Sequence, residues 1–315
     1  MSTRTLDSSP SILPLYARAA APLIPGASRL PFVPGRGEEI PETELVLAGV
    51  RPDPEAVAAY AKVCGFALRD QLPPTYPHVL AFPLHMAVMA DGSFPFGAVG
   101  LVHVENGIVQ QRPIGLGEEL KLVVRPTPLE PHKRGQTFSL LTEAWADDEL
   151  AWESTSTMLR RAKPQQPADG PKTSSIDAFS AHRREDELTP SATWRLAGDL
   201  GRRYAAVSGD RNPIHMHALS AKPLGFPSAI AHGMWTKARC LAALEGRLPD
   251  AFSVEVRFRK PIRLPGKVEF LSDTSGEQID FSVRDAKRQI PHLDGQVTPL
   301  EAKTKPNQSS GRKSK

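Results

Sequence analysis

The run Tyr204-Ala-Ala-Val-Ser-Gly-Asp-Arg-Asn-Pro-Ile-His215 places a carboxylate and an imidazole five positions apart. Leu200, Tyr204 and Val207 recur at helical spacing, and Gly209 can end that helix by taking a positive φ. Pro213 disfavours helical geometry at Asn212, so the chain turns between Asp210 and His215. An acid and an imidazole converging across such a turn can share one water and move its proton, which is general acid/base chemistry. The plainer alternative is that Asp210 caps a turn and His215 is a satisfied polar side chain. Asn212 reads equally as a residue that orders a catalytic turn or as a turn former only. Ser208 reads as a partner of either backbone or substrate.

Other chemistries fit less well. Asp210, His215, His217 and His232 are close in sequence, but there is no HExxH-type pair, and His217 is expected on the far side from His215 or in solvent. No metal is expected. No G-x-S-x-G elbow is present, and Ser208 lies too near Asp210 in sequence to suggest a separate nucleophile. Cys64 and Cys240 are isolated, which excludes a disulfide framework and fits a reducing cytoplasm.

The motif closely resembles a family signature. Tyr204, two residues, Val-Ser-Gly-Asp, one residue, Asn-Pro-Ile-His, five residues and Ala221 match the type 2, (R)-specific enoyl-CoA hydratases of the MaoC-like dehydratases without a mismatch. Gly225-Phe226-Pro227 and Ile230-Ala231-His232-Gly233-Met234 look like the same family. The resemblance implies a hotdog fold, an antiparallel sheet wrapped around a long helix, here from about Ser228 to Leu244. It implies that Asp210 and His215 activate one water for syn addition to a trans-2-enoyl thioester, giving the (3R)-hydroxyacyl thioester, or for the reverse dehydration. It also implies that Gly233 donates its N–H to the thioester oxygen, where a helix N-terminus favours a developing enolate. Ser208 and Asn212 would support the loop, and Tyr204, Phe226 and His232 would contact substrate. No cofactor is expected, the acyl-CoA or acyl-carrier-protein thioester being the substrate. Arg257, Arg259 and Lys260, with Arg263 beside them, are candidates for the carrier's phosphates. A strand-edge charge run also reads as a solvated face.

These residues need elements to hold them. Ile230, Met234, Ala238, Leu241 and Ala242 recur at helical spacing before Gly246, a plausible C-cap. Period-two alternation follows at 253–259, 268–271 and 279–283, and in the first half at 100–104, 120–124 and along a run from Gln136 to Leu159. Helices followed by alternating strands read as α+β with an antiparallel sheet.

The two halves also match each other. VAAYAKVCGF, a Pro-rich loop and AFPLHMAVMA in the first half parallel GRRYAAVSGD, a loop and GFPSAIAHGMWTKA in the second. QRPIGLGEELKL parallels RKPIRLPGKVEF. Tyr60 pairs with Tyr204 and Pro113 with Pro261, an order that implies two copies of one domain. With the resemblance, this makes a double hotdog, a fused pseudo-dimer. The first copy has Phe66 in place of Asp210 and continues Gln71-Leu-Pro-Pro-Thr-Tyr-Pro-His78, so one active site per chain is expected. That copy either shelters the acyl tail, with the Pro73–Pro83 segment, or only completes the sheet.

The expected division is a degenerate hotdog at 1–160, a Pro- and Ser-rich linker at 161–190, a catalytic hotdog at 191–300 and a disordered basic tail at 301–315. A chain of 315 residues with 40% hydrophobic and 23% charged residues can bury two cores and is not disordered overall. Residues 302–315 carry Lys303, Lys305, Arg312, Lys313 and Lys315 and no acid, so removing them turns the net charge of +4 into −1. Nucleic-acid binding by the folded body is therefore not expected. No apolar run is long enough to span a bilayer, and Asp7, Arg18 and nearby prolines break any signal-like core at the N-terminus. The reading is a cytoplasmic hydro-lyase of fatty-acid or polyketide metabolism, acting alone or as a homodimer. Its alternatives are a hotdog acyl-CoA thioesterase and a non-catalytic acyl-thioester binding protein.

Overall fold

The computed structural model describes residues 2–23, 33–35, 37, 39–161 and 188–301. Most of the expected linker, residues 162–187, and the expected tail from residue 302 lie outside the described residues. The described ends of the linker are strand, since Arg161 closes one strand and Thr189 and Pro190 open the next.

The alternating segments form β1 (Ser2–Leu6), β2 (Thr43–Val50), β3 (Val102–Gln110), β4 (Leu120–Pro126), β5 (Glu130–His132), β6 (Gly135–Ala146), β7 (Glu149–Arg161), β8 (Thr189–Leu196), β9 (Phe252–Phe258), β10 (Gly266–Asp273), β11 (Ile279–Asp285) and β12 (Pro291–Pro299). The helices are α1 (Ile12–Ala20), α2 (Pro54–Cys64), α3 (Tyr76–Met89), α4 (Leu200–Ser208) and α5 (Gly233–Leu244), with shorter turns between. The strands join in one sheet in the order β1-β2-β4-β6-β7-β3-β9-β12-β11-β10-β8, with β5 on β6. Outward from the β3–β9 seam, one side reads β3-β7-β6-β4-β2 and the other β9-β12-β11-β10-β8. In each half the first of these strands is outermost and the second lies at the seam. This is the α+β double-hotdog pattern, with β1 and β5 as additions to the first copy. Among the described residues, no helix is long and apolar enough to cross a membrane.

Several boundaries differ from expectation. The run from Gln136 to Leu159 is a hairpin, broken at Asp147 and Asp148 with φ of 49° and 60°. Asp tolerates that region because its short polar side chain bonds locally. Alternation alone does not mark such a turn. The second copy's central helix starts at Gly233, not near Ser228. Residues 229–231 are instead tied to the β9–β10 loop, with Ala231 N donating to Ile262 O at 2.9 Å and Leu264 N to Ala229 O at 2.9 Å. Gly246 is not a cap but lies in the 3-10 turn Glu245–Arg247. In the first copy the Pro-rich loop ends early. Pro77 sits in the first turn of α3, where no N–H is needed, and Pro83 is tolerated inside the same helix. Phe82-Pro83 is thus helical and does not correspond to the loop residues Phe226-Pro227. The segment from Pro73 to Pro83 supplies half of a core helix.

A buried polar contact binds the copies at their seam. Lys237 of α5 is fully buried. Its Nζ donates to Asn106 O at 3.0 Å, Asn106 Oδ1 at 2.6 Å and Val254 O at 3.1 Å. Asn106 is on β3 and Val254 on β9, so one side-chain nitrogen serves both seam strands, with three acceptors in reach. The Asn106 amide donates in turn to Ser154 Oγ at 3.0 Å and Ser156 Oγ at 3.1 Å on β7. Burial drives the Lys237 pKa well below its ordinary value. Lys237→Met keeps the volume and removes the donors. Orphaning buried acceptors costs about 1–3 kcal/mol, so thermal unfolding should shift down by several degrees, roughly 2–4 °C per kcal/mol. An unchanged melting temperature would show that the seam does not depend on this lysine.

Candidate active site

The loop after α4 is built on alternate residues. Ser208 Oγ accepts from Asp210 N at 3.2 Å, Asp210 Oδ1 from Asn212 N at 3.1 Å, and Asn212 Oδ1 from Ile214 N at 3.4 Å. Each short polar side chain thus bonds the amide two residues on, a chain of Ser- and Asx-turns that folds this stretch locally. Gly209 closes α4 at φ 76°. Pro213 opens a helical turn, 213–216, that presents His215 to the interior. The position of this turn also depends on α4. A Cβ on Gly201 would run into the His215 carbonyl oxygen.

His215 is buried, and its Nδ1 lies 2.8 Å from Ile230 O. A carbonyl only accepts, so Nδ1 carries the proton and Nε2 keeps its lone pair. Asp210 and His215 present a carboxylate oxygen and a ring nitrogen within 4.8 Å of each other. One water can span that gap with two hydrogen bonds of about 2.8 Å. Burial opposes ionisation of Asp210, but the neighbouring His232 and His215, the Asn212 N–H and a tyrosine hydroxyl outweigh it and hold the carboxyl below its ordinary value. Burial lowers the His215 pKa, against the opposing pull of Asp210 and the Ile230 carbonyl. The site therefore pairs a carboxylate with a neutral imidazole at neutral pH.

His232 stacks on His215, with ring centroids 3.7 Å apart and planes at 26°. Its Nε2 lies 2.9 Å from Asp210 O and donates to it. Among the described residues, Asp210, His215 and His232 bring together side chains that could hold an ion. Nitrogen lone pairs lie in the ring planes, so stacked rings aim them side by side and fit poorly around one tetrahedral ion. His217 is exposed and lies 3.4 Å from Arg202 Nη1.

One cavity gathers most of the candidates: Tyr204, Ser208, Asp210, Asn212, His215, Phe226, His232, Gly233, Arg259 and Lys260 all line it. Tyr204 is buried, with its ring 4.8 Å from that of His232. Gly233 is the first residue of α5, and a Cβ there would lie 3.0 Å from the Phe258 ring. Arg259 pairs with Asp294. Arg257 lies outside the cavity, its Nε 3.1 Å from Glu105 Oε1 across the β9–β3 pairing. There it joins the two copies, outside the cavity that Arg259 and Lys260 line.

Sequence reasoning missed several residues. Tyr16 of α1 places its hydroxyl 3.0 Å from Asp210 Oδ1 and 2.7 Å from Arg211 N. Nothing in its local sequence marks this contact, which spans 194 positions. The first copy lends His78, Phe82 and His85 from α3 and His103 from β3 to the cavity wall, and Arg134 and Arg161 also line it. Burial is the main cause that lowers His78 to about 4 and His103 to about 3.

Comparison with known proteins shows the family and the fold. A family described as MaoC like domain matches residues 180–294. The chain is 37% identical over 294 residues to the 3-hydroxyacyl-thioester dehydratase X of Mycobacterium tuberculosis, covering 92% of this chain and 99% of that protein. The crystal structure of that organism's HtdX superposes with a TM-score of 0.71 at 36% identity, covering 82% of this chain and 100% of that one. A MaoC-like dehydratase from Phytophthora capsici superposes with a TM-score of 0.68 at 18% identity, over 83% of this chain and 96% of its own. A further M. tuberculosis protein, described as having a double hotdog fold, superposes with a TM-score of 0.54 at 13% identity, over 84% of this chain and 96% of its own.

The ring assignments predict a titration. By histidine NMR, His215 should be the Nδ1–H tautomer with a midpoint below the ordinary 6.5, and His232, lowered mainly by burial, should stay neutral down to about pH 3. A His215 midpoint above 6.5 would contradict the assignment.

Proposed function

Because the chain belongs to the MaoC-like dehydratases, a family of hydro-lyases, we propose that it interconverts trans-2-enoyl and (3R)-hydroxyacyl thioesters at the Asp210–His215 site. The observation that carries this reading is a carboxylate oxygen and a ring nitrogen within 4.8 Å, in a cavity that also contains the first residue of a helix. In hydration, the water held between Asp210 and His215 attacks C3. Its proton passes to Nε2 of His215, and the electrons of the C2–C3 double bond move to the thioester oxygen. The Gly233 N–H holds that enolate oxygen, at a helix end whose first amides lack partners within the helix. His215 then returns its proton to C2 from the same face, which makes the addition syn. Asp210 stays ionised, orients the water and stabilises the imidazolium. Every group this cycle uses is a side chain or backbone amide of the chain, so no cofactor is invoked.

The first copy acts as the shelter for the acyl chain, a role supported by the part of α3 and β3 that lines the cavity. Lys260 and Arg259, with Arg134 and Arg161, would meet the phosphates of CoA or of an acyl-carrier-protein arm. Turnover of matched acyl-CoA and acyl-carrier-protein substrates would separate the two carriers. One chain contains both copies and acts alone or as a homodimer. Two buried free cysteines fit a reducing cytoplasm.

With crotonyl-CoA or a longer enoyl-CoA, the enoyl absorbance should fall without release of free thiol. Thiol release would favour a thioesterase, and tight binding without either signal a non-catalytic carrier. Asp210→Asn and His215→Gln should each lower kcat by about 10²–10⁴ with the fold intact. Near wild-type turnover in either variant would reject the site.

The pH dependence follows from His215. The base must be neutral, and burial makes its proton leave at lower pH. The kcat/KM for hydration should therefore stay level from neutral pH to below 6.5 and fall only as His215 protonates. A fall centred above 6.5 would contradict a lowered pKa at this base.

A further inference from the structure

We infer that Tyr16 is a positioning residue for the reaction, one that fixes Asp210 Oδ1 so that Oδ2 is left to hold the water. The inference rests on the acid/base reading of Asp210. The Tyr16 hydroxyl has two partners at once, donating to Asp210 Oδ1 at 3.0 Å and accepting from Arg211 N at 2.7 Å. Asp210 Oδ1 also accepts from Asn212 N at 3.1 Å, whereas Oδ2 lies 3.8 Å from His232 Nε2. Two donors on one oxygen set the rotation of the carboxylate. A third contact, from Tyr16 to the Arg211 amide, fixes the loop backbone against the same hydroxyl.

The N-terminal segment is built to place this hydroxyl. β1 adds to β2 in parallel register, from Ser2 opposite Thr43 to Leu6 opposite Leu47. α1 follows, with Leu15 and Ala19 buried in the core. Ile12 Cδ1 lies 2.6 Å from the place where a Cβ on Gly209 would stand. An N-terminal helix thereby closes over the end of α4 and meets the loop of the other copy. Tyr16 does not line the cavity, so it acts through Asp210 and not on substrate. Burial first, and then Asp210, raise the pKa of its hydroxyl, so it remains a donor throughout the working range.

Tyr16→Phe keeps the ring and its packing and removes only the hydroxyl. Loss of a hydrogen bond to a charged group should lower kcat on the order of tenfold or more, with KM little changed and the melting temperature nearly so. The titratable or charged groups that face or perturb Asp210 are Tyr16 from α1, His78 from α3, His103 from β3, Tyr204 from α4, and His215 and His232. Of these only Tyr16 changes in the variant. Without its donor the Asp210 carboxyl titrates higher, and the unscreened charge draws a proton more strongly to His215. The acid limb of the kcat profile should therefore move to higher pH. Leu122→Ala, which opens the core at β4 and leaves α1 and the hydroxyl in place, should lower the melting temperature without that shift. Adding Tyr16→Phe to Asp210→Asn should have no further effect on kcat.

If Tyr16→Phe retains kcat within twofold with an unmoved acid limb, or if its effect persists fully in the Asp210→Asn background, the positioning role is overturned. Wild-type hydration is the control for the reading beneath it. A chain that hydrates enoyl-CoA normally but ignores Tyr16→Phe loses only this inference.

Discussion

A carboxylate in a cavity wall keeps its charge where neighbouring dipoles and hydrogen bonds replace the water it has lost, and the rest of the site is arranged around that constraint at Asp210. One of its oxygens accepts from Asn212 N and Tyr16. Its carbonyl takes the Nε2–H of His232, and its amide is held by Ser208. These contacts come from the loop itself, from the α5 N-cap and from the N-terminal helix, so folding of distant segments converges on one side chain. His215 is treated in the complementary way. Its Nδ1 is tied to Ile230 O, which leaves a neutral base with one lone pair directed away from the backbone. Acid and base are thus separated by environment, the pattern expected where one water must be both held and deprotonated.

The double-hotdog architecture brings the two copies together beside the proposed site. Both copies place a helix pair at the same point of the fold, and Tyr60 and Tyr204 meet there with rings 6.0 Å apart. Past that point they diverge. The first copy ends α2 at Gly65 and puts a buried Phe66 where the second has Asp210. Its central helix carries His78, Phe82 and His85 into the cavity instead. The first copy thus lacks the carboxylate at this position and lends α3 side chains to the cavity wall. Lys237 and Arg257 hold the copies in register across β3 and β9, so the cavity walls cannot drift apart without breaking buried polar contacts.

Much of this was legible in the sequence, and the parts that were not have physical reasons. The Ser208–Asp210–Asn212 alternation is local, and so is the Gly209 stop, so the turn that positions Asp210 and His215 could be read from residues 204–215 alone. The repeat was visible through Tyr60 with Tyr204, because packing of α2 on α4 constrains both. The start of α5 was not, because residues 229–231 are held by the loop at 262–264, a non-local pairing that helical periodicity does not reveal. Pro83 hid α3, since its cost is offset by the burial of the surrounding helix. The hairpin at Asp147-Asp148 carried no Gly or Pro to mark it. Tyr16 was invisible for the plainest reason: its partner lies almost two hundred positions away.

At the proposed site, one Asp–His pair delivers both parts of a single water to one face of the double bond. Hydration of a trans-2-enoyl-CoA in deuterated water, followed by stereochemical analysis of the product at C2 and C3, tests it most directly. A single diastereomer is expected, with deuterium and hydroxyl added syn and C3 in the R configuration. Anti addition, or a mixture of diastereomers at C2, would contradict it.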